Sequence, residues 1–482
     1  MVRLSAISLA TLLIVVNLNV RLNASYAAAS ESAIAEVPIV EDPLSPEYER
    51  AKRVYAHLIA ATYLRVTAKL SPAKNGYRQI LREHEASAFV HTQLASLSME
   101  MFDLPTAEQH CRRAIEIAPE KPVPYYLLGQ VMIWRYGNAK HKDKWDDIVA
   151  TFQKVVELDP DHYGFEKNGR PFSAYNYLGE IAEQMGDYQS AANAFKELIR
   201  IMPYQPIYYL RLGSLYNQLG DKQEAITTYE RAIKINRNLW RAHDALWKLG
   251  VEQHDRLYQE DQLEAAAENL QKAIYSYSQL QRLAPPANHK HDHDNDLLAQ
   301  FRSRLGSLYV VLDRENEAIE VLEEVLGTTP NNPDANYWLG IAYQEIGNFE
   351  QAEHYLRTTI ALSPEREEAY NALGYFFAEV GTNLDEAVRL IQKALKKSPA
   401  NGAYLDSLGW AYFKQGKLND ALKQLEKAVI YMPNSVEVQD HLGEVYLKKG
   451  LKKEAVAAWQ KAIQLSPGNT AILEKLKKHG QE

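Results

Sequence analysis

The sequence predicts an all-α protein, a right-handed superhelical α-solenoid built of helix–turn–helix repeats. A Leu-Gly dipeptide or a close substitute recurs along the chain, and six of its nine successive steps are 34 residues long. An aromatic residue follows many of these dipeptides by three residues, and a glycine follows by seven. Chance does not produce this spacing, so the chain is a tandem array. The second residues of the dipeptides are Ala95, Gly129, Gly179, Gly213, Trp247, Gly306, Gly340, Gly374, Gly409 and Gly443.

Each repeat reads as two short helices that pack on one another. Apolar residues at spacings of three and four, such as Ala225, Tyr229 and Ala232, lie on one face of a helix. A small residue at the dipeptide lets the two backbones approach closely. The glycine seven residues later suits the left-handed turn that ends a first helix. A proline then closes the repeat, because it cannot continue a helix. The closing prolines are Pro119, Pro160, Pro203, Pro330, Pro364, Pro399, Pro433 and Pro467.

This combination of positions resembles the tetratricopeptide repeat, and the resemblance covers roughly residues 90–468. It implies antiparallel helix pairs whose first helices line a concave groove. It also implies that the repeated residues are packing positions and that the protein binds other proteins rather than catalysing a reaction.

The repeat phase divides the chain into segments. Two repeats are stretched, one by a polar insertion between Gly129 and Ile148 and the other by lengthened helices between Trp247 and Gly306. A terminal helix is expected because an array must close its last apolar face. The predicted segments are a signal peptide (1–29), a linker (30–46), a degenerate repeat or helical cap (47–89), the N-terminal half of the array (90–284), a His/Asp-rich loop (285–296), the C-terminal half of the array (297–468) and a capping helix (469–482).

The N-terminus has the order of a secretory signal. Arg3 precedes an apolar run over residues 4–16, and a patch of alanines follows at 27–29. The run has 13 residues, which is short of the roughly 20 that span a bilayer. Cleavage after Ala27 or Ala29 satisfies the small-residue rule, and an uncleaved inner-membrane anchor is the alternative. We therefore expect an exported protein of the periplasm or cell envelope.

The charge balance argues against nucleic acid as the main partner. Lys and Arg total 54 against 62 Asp and Glu, which gives a net charge of −8. A protein that holds phosphates would usually carry a basic surplus. The single cysteine, Cys111, cannot form an intramolecular disulfide and falls on the buried face of a second helix.

The strongest candidate for a metal site is the run of His289, His291 and His293 with its interleaved aspartates. Imidazoles and carboxylates ligate transition metals, but alternating residues in a loop fix no geometry. A solvated loop is therefore the favoured interpretation. The sequence contains no Gly-rich phosphate loop, nucleophile elbow or paired-carboxylate signature. We therefore predict no enzyme activity and no cofactor.

The resemblance directs attention to the stripe of each first helix that would line the groove. In the C-terminal repeats this stripe combines aromatic and acidic side chains, which suits an extended peptide with basic and apolar groups. The alternative is that the aromatics pack against the next repeat and the acids are simply solvated. The predicted partner-binding residues are Tyr337, Glu345, Tyr375, Glu379, Asp406, Trp410, Phe413 and Asp440.

Residues 401–416, NGAYLDSLGWAYFKQG, carry more than the generic pattern. They are similar to the C-terminal repeats of exported bacterial multi-repeat proteins, and this similarity implies an adaptor or scaffold of the cell envelope. The alternatives are an accessory subunit of a cell-wall or polysaccharide synthesis or export system, or a metal-dependent enzyme that uses the His-rich loop. The sequence does not name the partner, the pathway or the oligomeric state.

Overall fold

The computed structural model describes residues 46–84, 86–137, 143–162, 164–165, 171–284 and 294–480. Within these residues the chain forms 23 α-helices and one antiparallel pair of two-residue strands. The chain divides into two compact units, residues 1–242 and 243–482. The predicted all-α solenoid is confirmed in both units, where consecutive helices pack as antiparallel pairs. No helix of the described ranges is long and apolar enough to cross a membrane.

The first unit contains five complete helix pairs. Its helices are α1 (Pro46–Val66), α2 (Leu70–Glu83), α3 (Ala88–Glu100), α4 (Leu104–Ile117), α5 (Pro122–Tyr136), α6 (Trp145–Leu158), α7 (Ala174–Met185), α8 (Tyr188–Ile201), α9 (Pro206–Leu219) and α10 (Lys222–Ile235). Between α6 and α7, strand β1 (Gly164–Phe165) pairs with strand β2 (Pro171–Phe172).

Helix α11 (Trp240–Gln259) begins in the first unit and lies mostly in the second. The second unit continues with the longest pair, then with a pair whose first helix has 18 residues, and then with regular pairs of helices of 13 to 14 residues. Its further helices are α12 (Leu263–Leu283), α13 (Asp294–Val311), α14 (Glu315–Thr328), α15 (Pro333–Glu345), α16 (Phe349–Leu362), α17 (Glu367–Val380), α18 (Leu384–Lys397), α19 (Gly402–Lys414), α20 (Leu418–Tyr431), α21 (Val436–Lys448), α22 (Lys452–Leu465) and α23 (Thr470–His479).

The glycine of each dipeptide lies where the two helices of a pair cross, as the sequence predicts. A β-carbon on Gly409 would lie 2.7 Å from Leu425 Cγ, and one on Gly443 would lie 2.5 Å from Trp459 Nε1. Trp459 is fully buried. The large apolar residue of the second helix therefore fills the space that the glycine leaves open.

Most of the turns within the pairs contain a left-handed residue, and in most of these turns it is glycine. The glycine seven residues after the dipeptide has positive φ in six repeats. In two early pairs the same turn is made by Ala68 (φ 56°) and Phe102 (φ 57°), which carry a β-carbon. A left-handed residue other than glycine costs roughly 1–2 kcal/mol. The first two turns of the described chain are therefore strained.

The stretched repeat between Gly129 and Gly179 differs from the prediction. The sequence places its insertion before Ile148, but much of the extra length lies between the end of α6 and the start of α7, where the two short strands pair. These residues combine glycine, proline and aromatics, and no helical spacing marks them. Pro46, predicted as the last linker residue, instead begins α1.

Cys111 is fully buried, and burial raises the pKa of its thiol to about 12. A thiol with this pKa is protonated and unreactive at neutral pH. The predicted signal peptide, nearly all of the linker, and His289, His291 and His293 lie outside the described residues.

Candidate partner-binding groove

The eight predicted binding residues lie on four first helices, α15, α17, α19 and α21. Each of these four helices contacts the next one, so the predicted residues follow each other from repeat to repeat. We call these eight residues the inner stripe. Side-chain contacts join part of the inner stripe into one cluster and leave the rest separate.

Trp410 is the centre of the cluster. Its half-buried ring stacks on Phe413 of the same helix, with centroids 4.9 Å apart, and on His441 of α21, with centroids 4.1 Å apart. The indole N–H donates a hydrogen bond to Glu379 on α17. Lys414 Nζ lies 4.9 Å from the centroid of the ring. One tryptophan therefore connects three successive repeats.

Asp406 lies beneath this stack and is not a free surface acid, in contrast to its assignment as an exposed stripe residue. It is 7% exposed, and His441 Nδ1 donates to its carboxylate at 2.9 Å. Burial lowers the pKa of His441, but the hydrogen bond to Asp406 and the charges of nearby carboxylates outweigh burial and raise the pKa. The pair holds the ring on which Trp410 stacks.

Tyr375 and Glu379 lie one helical turn apart on α17, beside the cluster. Burial raises the pKa of the Tyr375 hydroxyl, and the charges of Glu379 and Asp406 raise it further. Glu379 is exposed. This edge of the cluster therefore has a negative potential next to an aromatic surface.

Asp440 is tied to the end of the array and not to the Trp410 cluster. Lys475 Nζ of α23 donates to its two oxygens at 2.7 and 2.9 Å, and Trp459 Nε1 donates at 2.8 Å. Lys475 also pairs with Glu444 at 2.8 Å. The carboxylate of Asp440 is therefore compensated within the chain.

Tyr337 and Glu345 lie on α15, away from Trp410 in sequence by two repeats. The guanidinium of Arg366 covers the Tyr337 ring at 4.4 Å. Glu345 is exposed as a whole residue, but its carboxyl is partly shielded from water, and this burial together with the charges of Glu315 and Asp313 raises its pKa. Of the predicted residues, the structure brings together Glu379, Asp406, Trp410 and Phe413, with Tyr375 at the edge.

Two residues of the groove were not predicted as binding residues. His441 lies under Trp410, and the signal for it was present, since it follows Asp406 by 35 residues, close to one repeat length. Asn371 occupies the same repeat position as Asp406, one repeat earlier. Its side-chain oxygen is buried and has no hydrogen-bond partner among the described residues. An unpaired buried acceptor costs roughly 1–3 kcal/mol unless a ligand satisfies it.

The part of the chain that the structure describes contains no group of three or more His, Cys, Asp or Glu side chains arranged to hold a metal ion. The weak metal candidates His289, His291 and His293 are not among these residues, so they stay a prediction.

Comparison with known proteins agrees with the repeat pattern. Family models described as Tetratricopeptide repeat match residues 172–204, 207–239, 313–374 and 436–469, and one described as TPR repeat matches residues 409–450. Tetratricopeptide repeats are therefore present in both units of the chain. Proteins with these repeats are generally non-catalytic scaffolds that bind protein or peptide partners.

Two curated relatives share one stretch of repeats with the chain. The TPR repeat-containing protein PA4667 of Pseudomonas aeruginosa is 37% identical over 106 residues, which are 22% of this chain and 18% of that protein. The BBSome complex member BBS4 of Bos taurus is 29% identical over 106 residues, 22% of this chain and 20% of that protein. The chain thus spans about a fifth of the length of each of these relatives.

Solved structures with similar repeats include a thermophilic TPR protein of Thermus thermophilus and a tetratricopeptide repeat protein of Parabacteroides merdae. The first is 23% identical with a TM-score of 0.35, covering 38% of this chain and 98% of that one. The second is 18% identical with a TM-score of 0.35, covering 64% of this chain and 99% of that one.

Proposed function

We propose that this protein is a non-catalytic scaffold of the cell envelope that binds an extended segment of a partner protein along the inner stripe. The single observation that carries this proposal is the Trp410 cluster. A large aromatic surface is held in place by His441 and Phe413 while its edge carries the exposed carboxylate of Glu379. Rigid aromatic anchors of this kind dominate the energy of protein interfaces.

The charges in and beside the inner stripe favour a basic partner. Glu379 is exposed, and Glu345 lies near two further acids, Glu315 and Asp313, whose charges add to the effect of burial in raising the pKa of its carboxyl. Like charges that are held close together are relieved when a cation binds between them. Aromatic faces also attract Lys and Arg side chains. A peptide in which basic and apolar residues alternate would match both the acidic and the aromatic side chains of the inner stripe.

The buried side-chain oxygen of Asn371 needs a hydrogen-bond donor from the partner. Asn371 lies on α17 with Tyr375, one repeat before Asp406. A backbone N–H of an extended peptide would supply the donor. This contact is independent of the charge argument, so the two can be tested separately.

The envelope location is supported by the N-terminal sequence. Arg3, the apolar run over residues 4–16 and the alanines at 27–29 follow the order of an export signal. Cell fractionation together with the mass of the N-terminal peptide would test it. A protein that is found with the cytosol and keeps residues 1–29 would contradict the proposal.

Affinity capture from envelope extracts tests the groove. Glu379→Lys reverses the charge at the edge of the cluster and removes the acceptor of the Trp410 indole N–H, while Phe413 and His441 still stack on the ring. The matched control is Glu426→Lys, an equally exposed glutamate on α20, which is a second helix. We expect Glu379→Lys to lose a partner that both the wild type and Glu426→Lys retain. Equal capture by all three proteins would refute the inner stripe as the binding surface.

A further inference from the structure

The second unit changes the sign of its charge along one edge. This edge is formed by the turns that join the first helix of each pair to the second helix. The net charges of five successive turns are −2, −2, −3, +1 and +3, for residues 310–317, 344–351, 378–386, 413–420 and 447–454. The sign therefore changes between α17 and α19, the two helices that Trp410 connects.

One residue in the last turn of each first helix follows the same change. Glu345, Glu379, Lys414 and Lys448 succeed one another by 34, 35 and 34 residues, so they hold the same position in α15, α17, α19 and α21. We call these four residues the charge row. Glu379 accepts the indole N–H of Trp410, and Lys414 Nζ lies 4.9 Å from the centroid of that ring. The charge row therefore runs along the inner stripe and past the Trp410 cluster.

The basic end of the charge row is not neutralised by its own helix. Lys448 is exposed and makes no hydrogen bond or ion pair with another residue that the structure describes. Asp440 and Glu444 of α21 are both paired with Lys475. Glu437 lies in the first turn of α21, about 16 Å from Lys448 along the helix. The turn after Lys448 adds three lysines and only one glutamate.

The acidic end of the charge row has the opposite character. Glu345 lies near Asp313 and Glu315, whose charges help to raise the pKa of its carboxyl. Within the described ranges none of these three acids forms an ion pair. The one basic residue of the turn 310–317, Arg314, donates instead to Glu317 and Glu264. A cation beside Glu345 would relieve the repulsion among the acids.

We propose that the segment bound along the inner stripe is bipolar. Its Lys or Arg side chains lie beside Glu345 and Glu379, and its Asp or Glu side chains lie beside Lys448. The inference rests on the proposed function, because it describes the segment that the inner stripe binds. A uniformly basic segment would match the first half of the charge row and meet like charges in the second half. Such a mismatch lowers affinity and sets the alignment of the correct partner.

The charge row also sets the length of the segment. Each first helix from α15 to α21 contacts the next, which makes three steps. Contacting helices lie about 10 Å apart, so the row spans about 30 Å. An extended chain advances about 3.3 Å per residue and covers this distance with about ten residues.

Fluorescence anisotropy with labelled peptides and the full-length chain tests the proposal. Each peptide has about 12 residues, blocked termini, and leucine at every second position. The bipolar peptide carries lysines in one half and glutamates in the other, and it is made in both chain orders. The mixed peptide has the same composition with the charges interspersed, and the basic peptide carries lysine only. We expect the tighter bipolar peptide to have a Kd about fivefold below those of the mixed and basic peptides.

Charge-reversing variants place the two halves of the segment. Lys448→Glu should raise the Kd of the bipolar peptide about fivefold and should not weaken binding of the basic peptide. The matched control Lys461→Glu changes an exposed lysine of α22, the second helix of the same repeat, and should alter neither Kd. Glu379→Lys should weaken binding of both peptides.

The outcomes separate this inference from the proposed function. A basic peptide that binds as tightly as the bipolar one would overturn the bipolar segment, and so would a bipolar peptide that ignores Lys448→Glu. In both cases the proposed function stands if Glu379→Lys still weakens the basic peptide. If no peptide binds, or if Glu379→Lys changes no Kd, both the inference and the inner stripe as the binding surface are refuted.

Discussion

Gly443 and Gly409 allow a matched test of how the two helices of a repeat pack. Both lie at crossing points, but they face different side chains. A β-carbon on Gly409 would meet Leu425 at 2.7 Å and the backbone oxygen of Ala421 at 3.2 Å, whereas one on Gly443 would meet the Trp459 ring at 2.5 to 2.8 Å. Trp459 cannot move easily, because it is fully buried and its Nε1 donates to Asp440.

The magnitudes follow from two opposing terms. Alanine is favoured over glycine inside a helix by about 1 kcal/mol. Overpacking a core costs typically about 1–3 kcal/mol, and the upper end applies where the neighbour is rigid. Gly443→Ala should therefore lower the free energy of unfolding by about 2 kcal/mol, whereas Gly409→Ala should stay within about 1 kcal/mol of the wild type.

The assay is urea unfolding followed by far-UV circular dichroism, with amide hydrogen exchange to locate the effect in α21 and α22. Gly327→Ala is the control, because nothing lies within 4 Å of its β-carbon position in α14, and it should not destabilise. Trp459→Leu should reduce the destabilisation that Gly443→Ala causes, because a leucine, Leu425, fills the equivalent place beside Gly409. An unchanged midpoint for Gly443→Ala, with normal exchange in α21, would refute the packing argument.

Four further outcomes are expected. Gly409→Val should unfold at lower urea than the wild type, because a branched side chain cannot fit beside Leu425; equal midpoints would contradict the repeat phase. Ala68→Gly should raise the free energy of unfolding by about 0.5–1 kcal/mol, since it removes the strain of a left-handed alanine. A lower free energy of unfolding in the same urea titration would show that Ala68 is not strained. The pKa of His441 is raised in the folded state, so the stability from its pair with Asp406 is present below the unfolded pKa of about 6.5 and lost as pH rises through the folded pKa. Asp406→Asn should lower the pKa of His441 in an NMR titration, and an unmoved pKa would rule out Asp406 as the cause. Cys111 should resist alkylation at neutral pH in the folded protein and react in urea, whereas fast labelling of the native chain would show that its thiol is accessible.

Much of the fold could be predicted from the sequence because each repeat is stabilised by neighbours that are close in the chain. The crossing glycines and the left-handed glycines mark places where a side chain would not fit or where φ is positive, so their spacing reports the helix pairs directly. The extra residues between α6 and α7 were not predicted, because the residues that form β1 and β2 have no helical periodicity and only two residues in each strand.

The candidate groove could be predicted only in part. The repeat phase identified Trp410 and Glu379 as residues of one surface, but phase alone does not say which side chains touch. The repeat phase predicts that Asp406 is exposed, but the residue is buried beside His441, which comes from the next repeat. Contacts between repeats depend on side-chain rotamers and on the distance between helices, and neither quantity is written in a 34-residue period.

The Trp410 stack also has a mechanical consequence. In an array of helix pairs each repeat contacts only its neighbours, so a tension along the array is carried by the contacts between successive repeats. Trp410 contacts both Glu379 of α17 and His441 of α21, and it thereby connects three successive repeats of the second unit. Under tension we expect repeats without such a bridging side chain to separate first. The surface around Trp410 would then keep its shape while the other repeats move apart.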